Sequence, residues 1–380
     1  MTEPLEHHQH PIGNPLGQEA DALINPEVPV EVPPSEQMSL IRRLRQPRTI
    51  LSIGVPLAII VFALYLNRHS LEAVPGYISH ANPLFLLAAF VVYYCGFPIR
   101  GHRWATLLKG AGYRVSTRDA TEVIFLSWLV NCVVPAKLGD VYRAYLLKLN
   151  SPVSATRTLG TVFVERILDL FAIAVLGLAA GYIRFRGSLG DLPFAVQVIF
   201  ALGVALVVVM AIGLIVLRNF GRRLMGRLPL PARAVQLYER FEEGVFNSVG
   251  LRGLPWLGLL TTMVWVTEAL RLYFVIQALG FGDLHLGLSG VMFVALIGSL
   301  LTAVPLTPAG LGAVEGGVWA VLVTVFGVAG SQATAILLVD RTISVFSIVV
   351  LGSIAYVLSS KPRGGGMRVE EIAVGKVPAG

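Results

Sequence analysis

From residue 49 onward, the sequence consists largely of apolar runs, several of them long enough to cross a lipid bilayer as a helix of about 20 residues. We predict helices over 49–66, 83–99, 119–134, 158–183, 193–217, 253–279, 286–304, 309–328 and 333–358. Only 14% of the residues are charged, whereas a soluble domain has about a quarter. The sequence therefore predicts an all-α polytopic membrane protein.

Two of these runs are short and end at prolines. The run 119–134 stops before Pro135, the run 286–304 stops near Pro308, and a turn that contains glycine follows each. Short hydrophobic segments interrupted by Pro and Gly are typical of re-entrant or broken helices. We therefore predict two re-entrant hairpins together with six full spans. The six spans are 49–66, 83–99, 158–183, 193–217, 253–279 and 333–358.

The distribution of Lys and Arg orients this topology. With the N-terminus inside, most basic residues fall in four cytoplasmic segments, and the external side receives only Arg68, Arg184 and Arg186. Such an asymmetry satisfies the positive-inside rule. We therefore expect a multi-pass protein of the inner (plasma) membrane with both termini in the cytoplasm. The predicted cytoplasmic segments are 1–48, 100–157, 218–252 and 359–380.

The remaining segments are polar. Residues 1–40 are rich in proline and acidic side chains, which predicts a disordered cytoplasmic tail, and 359–380 form a second tail after a transmembrane domain over 41–358. The linker 218–252 has apolar residues at helical spacing after a basic cluster. It predicts a short helix that lies either on the cytoplasmic leaflet or in solvent.

The most specific feature of the sequence is an internal repeat. The motif Pro-Ala-x-Leu-Gly-x-Val occurs at Pro135 and again at Pro308. Around it, Arg103 and Gly112 match Arg271 and Gly280, and the stretches 164–177 and 339–352 also align. The three offsets are nearly constant and occur in the same order. We predict two repeats, about 83–183 and 253–358.

In the predicted topology the first repeat enters the membrane from outside and the second from inside. The repeats are therefore expected to be inverted, which in secondary transporters produces two oppositely open states. This arrangement favours a transporter over an enzyme or a scaffold.

Ionisable side chains lie within the predicted spans, where an unpaired charge costs about 2.5–3.5 kcal/mol. Glu165 and Arg166 are expected to find partners on the hairpins, and Glu268 can pair locally with Arg271. These charges are either static pairs that tie helices together or the lining of a crevice for a lipid headgroup. The predicted lining residues are Asn131, Lys137, Asp140, Arg143, Glu165, Arg166, Asp169, Glu268, Arg271, Glu315, Asp340 and Arg341. The predicted hinge or gate positions are Pro135, Gly139, Pro308, Gly310 and Gly312.

Within the predicted crevice, a guanidinium suits phosphate because its planar fork matches the phosphate oxygens. We expect Arg143, Arg166 and Arg341 to contact phosphate. Glu315, Asp340 or Glu165 would then serve cationic groups or protons.

An ordered set of motifs resembles a known family. The set comprises Arg103-Trp104 with Gly112, Asn131-x-x-x-Pro135-x-x-x-Gly139-Asp140-x-x-Arg143, Glu165-Arg166-x-x-Asp169, Pro308-x-Gly310-x-Gly312-x-x-Glu315, and Asp340-Arg341. Over about residues 50–358 the chain resembles the transmembrane flippase-like domain of lysylphosphatidylglycerol synthases and its stand-alone relatives. The resemblance implies movement of a lipid between leaflets.

The sequence departs from this family at two points. Asp140 stands where Glu is commoner, and no acyltransferase-like catalytic domain follows before residue 380. We therefore expect a stand-alone member that does not transfer lysine. Its lipid is left open among amino- or glycophospholipids and polyprenyl-linked lipids.

The sequence contains no GxGxxG, P-loop, DxD or metal-ligand motif, so we expect neither an enzyme nor a cofactor or metal. Membrane lipids are the expected partners, and nucleic acid is not expected. The alternative is a non-catalytic membrane partner or scaffold of a lipid-modifying synthase or glycosyltransferase. A homo-oligomer is compatible with the sequence.

Overall fold

A computed structural model describes residues 72–134, 137–185, 194–227, 231–284, 286–303, 308–365, 367 and 369–371. The predicted tail 1–40, the predicted span 49–66 and Pro135 lie outside the described residues. The helices are α1 Val74–Ser79, α2 Pro83–Gly110, α3 Thr117–Val133, α4 Leu138–Asn150, α5 Ala155–Phe185, α6 Phe194–Arg227, α7 Ala232–Asn247, α8 Leu254–Ala278, α9 Gly287–Ala303, α10 Ala313–Thr324, α11 Gly330–Arg341 and α12 Ser347–Leu358.

Short elements join these helices. Single 3₁₀ turns cover Leu251–Gly253, Gly282–Leu284, Pro308–Gly310 and Lys361–Arg363. A π-helical turn, Thr342–Phe346, connects α11 to α12 without a break. Strand β1, Tyr113–Arg114, pairs antiparallel with β2, Glu370–Glu371.

Three described helices are long and apolar enough to cross a membrane: α2, α8 and the continuous helix Gly330–Leu358. Shorter apolar helices include α9 and α10. The mostly helical fold and these spans make the chain an integral membrane protein.

Helices of the two halves follow one another in the same order, namely a long helix, a 17-residue helix, a short helix and a long helix. The 17-residue members are α3 and α9, and each is followed by a break before the short helix α4 or α10. Gly112 and Gly280 occupy the same place after the first helix, with φ of +95° and +76°. Glycine tolerates this left-handed region, which other residues avoid. The described halves therefore repeat in secondary structure as well as in sequence.

The first helices of the two halves, α2 and α8, pack along each other at the centre of the molecule. Close approach is possible because Gly96 of α2 lies against the Thr267 side chain of α8. α5 packs against α9, and α3 packs against α2, α4 and α12. Elements of both halves are therefore interleaved.

Helix α2 extends well beyond the predicted end at residue 99. The predicted helix ended at residue 99, and Arg100 and Arg103 were predicted to be cytoplasmic charges. Both arginines are buried, with 5% and 1% of their surface exposed, and both are paired with carboxylates. Because their charges are neutralised inside the bundle, the helix continues to Gly110.

Helix α7, in the predicted linker, packs against α5. A Cβ on Gly160 of α5 would lie 2.5 Å from the Phe241 carbonyl oxygen, so this crossing needs a glycine. The Phe163 and Phe241 rings lie 5.6 Å apart, and Arg157 pairs with Glu243. α7 thus covers one end of α5.

The described part of the predicted C-terminal tail folds back onto the first repeat. Lys361 Nζ lies 2.6 Å from Asp119 Oδ1 at the start of α3, and the Asn150 amide donates to the Lys361 carbonyl oxygen at 2.8 Å. Together with the β1–β2 pairing, these contacts hold the described residues 359–365 and 369–371 against the first repeat.

Candidate functional site

A cavity of about 200 Å³ lies between the two halves, next to the α2–α8 crossing. Part of its lining is apolar and comes from α9 and α10, including Val294, Val314 and Val318. Charged side chains from α2, α5, α8 and α11, together with Lys137 and Asp140, also line it. The cavity lining is therefore amphipathic.

The charged side chains of the first repeat form one connected group, here called the repeat-1 cluster. Its members are Arg103, Asp140, Arg143, Glu165, Arg166 and Asp169, and Lys137 lines the same cavity without joining them. At its centre, Arg103 donates to Glu165 Oε1 at 2.9 Å and to Asp169 Oδ1 at 2.6 Å. A further donation to Thr261 Oγ1 of α8, at 3.1 Å, fixes the guanidinium against the other half.

Two further arginines complete the repeat-1 cluster. Arg143 of α4 donates to Glu165 Oε2 at 2.9 Å, and its guanidinium lies 5.0 Å from the Trp104 ring. Arg166 Nε lies 3.0 Å from Asp140 Oδ2, and Arg166 Nη1 lies 3.3 Å from Asp169 Oδ2. Glu165 and Arg166 of α5 therefore each pair with a residue of α4.

The repeat-2 cluster consists of Glu268, Arg271, Glu315, Asp340 and Arg341. Arg271 Nε donates to Asp340 Oδ1 at 2.8 Å and also pairs with Glu268, as the sequence predicts. Arg341 Nε lies 2.8 Å from Glu315 Oε1. All these carboxylates are thus engaged by arginines.

The two clusters repeat the same contacts. Arg103 pairs with Glu165 as Arg271 pairs with Asp340, and these residues are aligned by the repeat. The arginines also reach equivalent positions on the opposite long helix, because Arg103 contacts Thr261 and Arg271 lies 5.0 Å from the Tyr93 ring. The halves are therefore related by their interactions as well as by their helices.

A second correspondence is not visible in the aligned sequence. Arg166 pairs with Asp140, and its equivalent Arg341 pairs with Glu315. In the register of the Pro-Ala-x-Leu-Gly-x-Val motif, Asp140 and Glu315 are two positions apart. The short helices α4 and α10 therefore supply the same kind of carboxylate from slightly different places.

Arg100 and Arg103 belong to the site but were not among the predicted site residues. Arg100 Nη2 lies 2.5 Å from Glu268 Oε1, which joins the two halves, and its guanidinium lies 4.9 Å from the Trp128 ring. The sequence contained an indication of this pair. The interval between Arg100 and Glu268 equals the interval between the repeat-related residues Arg103 and Arg271. The two pairing residues occupy equivalent positions and carry opposite charges.

After each helix break, one backbone N–H group donates a hydrogen bond to a nearby side chain. The Gly139 N–H donates to the Asn131 side-chain oxygen at 2.8 Å, and the equivalent Gly312 N–H donates to Glu315 at 2.6 Å. Lys137 has a positive φ of 51°. Each of these backbone N–H groups is therefore bound by one side chain.

The predicted residues divide by position. Most line the cavity, whereas Arg143 and Glu315 lie behind it and bind the members that do. Of the gate positions, Gly310 lines the cavity, Pro308 begins a 3₁₀ turn and Pro135 is outside the described residues. The cavity-lining members are Asn131, Lys137, Asp140, Glu165, Arg166, Asp169, Glu268, Arg271, Asp340 and Arg341. In the described ranges no group of His, Cys, Asp or Glu is arranged to hold a metal ion.

A helical membrane-protein fold in two similar halves, with a buried ionic cavity between them, defines a class of polytopic membrane proteins. Comparison with known families narrows this class. Residues 49–352 match the model described as the lysylphosphatidylglycerol synthase TM region. The chain belongs to this family, which confirms the resemblance found in the motifs.

Relatives from archaea support the same assignment. The chain is 35% identical over 231 residues to a UPF0104 membrane protein of Methanocaldococcus jannaschii, covering 60% of this chain and 92% of the relative. A UPF0104 membrane protein of Methanothermobacter thermautotrophicus is 25% identical over 72% of this chain and 84% of its own length. Glycosyltransferase AglD of Haloferax volcanii is 26% identical over 80% of this chain, and the match spans 53% of that protein.

Proposed function

We propose that the protein is a flippase-like lipid transporter of the inner membrane, which moves a lipid with a polar headgroup between leaflets. The candidates are amino- or glycophospholipids and polyprenyl-linked lipids. The observation that carries this proposal is the cavity, whose lining combines ionic and apolar side chains between two halves of the same design. The ionic side chains fit a headgroup, and the apolar side chains fit the start of an acyl or prenyl chain.

The helix breaks support a transport path. A non-helical backbone is stable at membrane depth only where protein or a polar cavity satisfies its hydrogen-bonding groups. The chain leaves α3 after Val133 and α9 after Ala303, and the described residues that follow include Lys137, Ala309 and Gly310, which line the cavity. In transporters such broken helices carry the substrate site. We propose that the breaks are the tips of two re-entrant hairpins and act as gates.

The repeated contacts support alternating access. In the proposed topology of six spans and two hairpins, both termini are cytoplasmic and the repeats are inverted. One state opens to the cytoplasm and the other to the outside by exchange of the two repeat conformations. The shared Arg–carboxylate pairs would then re-form equivalent contacts in either state.

The cavity residues have distinct proposed roles. Arg166 and Arg341 would contact the headgroup phosphate, because each lines the cavity and is half-buried. Arg143 is 1% exposed and does not line the cavity, so it is a positioning residue for Glu165. The carboxylates hold the arginines in the geometry needed to bind phosphate.

The relationship to glycosyltransferase AglD favours a second candidate function. Since this chain corresponds to about half of that protein, the same type of domain occurs within a larger protein named as a glycosyltransferase. On this alternative the chain is a non-catalytic membrane partner of a lipid-modifying enzyme, and the buried ion pairs serve only to tie helices together.

Purified protein in liposomes distinguishes the two candidates. Labelled phospholipids with anionic, aminoacylated or glycosylated headgroups are placed in the vesicles, and a membrane-impermeant quencher measures the rate of leaflet exchange. We expect transfer of at least one class, lost in Arg166→Ala and in Glu315→Gln. Arg114→Ala, on an exposed ion pair far from the cavity, is the control and should transfer normally. Absence of transfer for every lipid would favour the partner role.

A further inference from the structure

The charges around the cavity do not balance. The cations are Arg100, Arg103, Lys137, Arg143, Arg166, Arg271 and Arg341, and the carboxylates are Asp140, Glu165, Asp169, Glu268, Glu315 and Asp340. Seven positive groups therefore face six negative ones among the described residues. A buried uncompensated charge is unfavourable unless a partner neutralises it.

The surplus charge belongs to Lys137. Each arginine of the site lies within ion-pair distance of at least one carboxylate, whereas Lys137 has no such pair in the described part of the chain. The nearest carboxylates, Asp140 and Asp169, are already held by Arg166. The Lys137 ammonium is therefore free to bind a negative group that enters the cavity.

Lys137 is the residue before α4 and has a left-handed backbone, which is unfavourable for a residue with a side chain. The Gly139 N–H donates to Asn131, and a Cβ on Gly139 would lie 2.6 Å from the same Asn131 oxygen. The start of α4, next to Lys137, is thus closely packed. At the matching position of repeat 2 stands Gly310, so the second repeat has no counterpart of this charge.

Unpaired donors in the same cavity provide an independent observation. Arg100 is 5% exposed and lines the cavity, yet its Nη1 has no hydrogen-bond partner among the described residues. The indole N–H of Trp265, which also lines the cavity, is likewise unpaired there. Buried donors of this kind are normally satisfied. Together with the surplus positive charge, they fit an anion with several acceptor oxygens.

We propose that the headgroup bound here is a phosphate ester with net negative charge and that Lys137 determines this preference. The inference rests on the proposed lipid transport and specifies its substrate class. Phosphate supplies several acceptor oxygens and the missing negative charge. A headgroup with a net positive charge, such as an aminoacyl ester of phosphatidylglycerol, would add a second surplus cation and is disfavoured. The preference thus differs from the lipid after which the family is named.

Leaflet exchange in proteoliposomes tests this charge preference. Labelled phosphatidic acid and phosphatidylglycerol represent the anionic class, phosphatidylethanolamine the zwitterionic class, and lysyl-phosphatidylglycerol the cationic class. We expect the anionic lipids to exchange at least about tenfold faster than the cationic lipid, since a charge-assisted hydrogen bond corresponds to about tenfold or more in binding. Equal exchange of all classes, or faster exchange of the cationic lipid, would overturn the proposal.

Variants at Lys137 assign the preference to this residue. Lys137→Gln should slow anionic exchange about tenfold and slow exchange of the zwitterionic lipid by less, and Lys137→Glu should reverse the order of the anionic and cationic lipids. Lys109→Gln is the matched control, because Lys109 is exposed at the end of α2 and lies outside the cavity. A uniform loss across all lipids in Lys137→Gln would contradict a role in charge selection.

Direct binding separates this inference from the proposed transport. Dioctanoyl phosphatidic acid, glycerol 3-phosphate and inorganic phosphate are titrated into detergent-solubilised protein and followed by thermal stabilisation. Stabilisation by the lipid that depends on Lys137 supports the site even if no exchange occurs, in which case only the transport proposal fails. Stabilisation by the soluble phosphates alone would overturn a lipid headgroup as the ligand. No stabilisation by any of the three would overturn the anion site.

Discussion

The two repeats have the same framework but different charges. Each contributes a long helix, a broken helix and an arginine that pairs with a carboxylate on the last long helix. Around the cavity, however, repeat 1 carries five cations and three carboxylates, whereas repeat 2 carries two and three. The framework is therefore common to both halves, and the charge is concentrated in one of them.

This difference explains how the halves are joined. The excess of positive charge in repeat 1 is partly compensated by the negative excess of repeat 2, through the Arg100–Glu268 pair across the α2–α8 crossing. Two identical halves could not form this pair, because equivalent positions would then carry like charges. The difference in charge between the repeats therefore contributes to the interface between them. The positive charge that is not compensated there, at Lys137, is available to a ligand.

The largest expected effect comes from the central carboxylate of each repeat. Glu165 binds both Arg103 and Arg143, whereas its equivalent Asp340 is paired only with Arg271 among the described residues. Removing one partner of a buried ion pair costs about 3–5 kcal/mol. We expect Glu165→Gln to destabilise the protein by this amount or more and Asp340→Asn by less. Thermal unfolding in detergent measures both, and an equal loss would contradict the predicted difference.

The pair between the repeats is expected to give the next largest effect. Arg100→Met leaves Glu268 with Arg271, and Glu268→Gln leaves Arg100 buried without its carboxylate. If the two side chains stabilise each other directly, the double variant should be destabilised by less than the sum of the single variants. Contacting charged residues typically show coupling of about 0.5–3 kcal/mol.

A double-mutant cycle in thermal or denaturant unfolding measures this coupling. Arg100→Met combined with Lys109→Gln is the control, because Lys109 is exposed at the far end of α2. Additive effects in both cycles would mean that the Arg100–Glu268 contact does not connect the halves energetically.

Gly139 and Gly312 are equivalent glycines at the starts of α4 and α10. We expect a glycine to be required at each position for a different reason. A Cβ on Gly139 would collide with the Ser127 carbonyl oxygen and the Asn131 amide, whereas a Cβ on Gly312 meets no atom within 4 Å. Gly312 instead has φ of +88°, which an alanine adopts at a cost of about 1–2 kcal/mol. Gly139→Ala should therefore be the more damaging substitution.

Both variants can be compared in one experiment. We expect Gly139→Ala to lower the midpoint of unfolding more than Gly312→Ala, since overpacking against backbone requires helices to move. Gly213→Ala on α6, where nothing lies within 4 Å of a Cβ, is the control and should raise the midpoint slightly, because alanine is favoured over glycine inside a helix. A larger effect at Gly312 would show that backbone conformation, rather than space, limits the breaks.

Much of the framework could be predicted from the sequence because it depends on local pattern. Apolar runs indicated eight of the described helical segments, and prolines and glycines marked both breaks. α4 was not predicted as a separate helix, because Asp140 and Arg143 interrupt its apolar pattern. Their neutralisation by Arg166 and Glu165 depends on α5, which only the folded structure brings close.

The contacts of the site were less predictable for the same reason. A local pair such as Glu268 with Arg271 follows from helical spacing, but the partners of Arg103 are 62 and 66 residues away. The C-terminal segment was predicted as a tail because its contact, Lys361 with Asp119, spans 242 residues. Long-range pairing of charges therefore limited the prediction more than the apolar pattern did.

The smallest expected effect concerns the contact of this C-terminal segment with repeat 1, which has no counterpart among the described contacts of repeat 2. Burial acts to raise the pKa of Asp119, but hydrogen bonds from Lys361 and Ser116 outweigh it and lower the pKa below its ordinary value of 3.8. A carboxyl group with a lowered pKa stabilises the folded state above its unfolded pKa, and this contribution is lost as the pH falls through the folded value.

Lys361→Met should therefore reduce stability near neutral pH by less than about 1 kcal/mol and make stability fall less steeply below about pH 4. Glu122 also lies 3.6 Å from Lys361, so Asp119→Asn is measured in parallel to separate the two carboxylates. Arg114→Met, which removes the exposed Arg114–Glu370 pair of the same segment, is the control and should leave the pH profile unchanged. An identical profile for the wild type and Lys361→Met would mean that the segment is held by the β1–β2 pairing and the Asn150 contact alone.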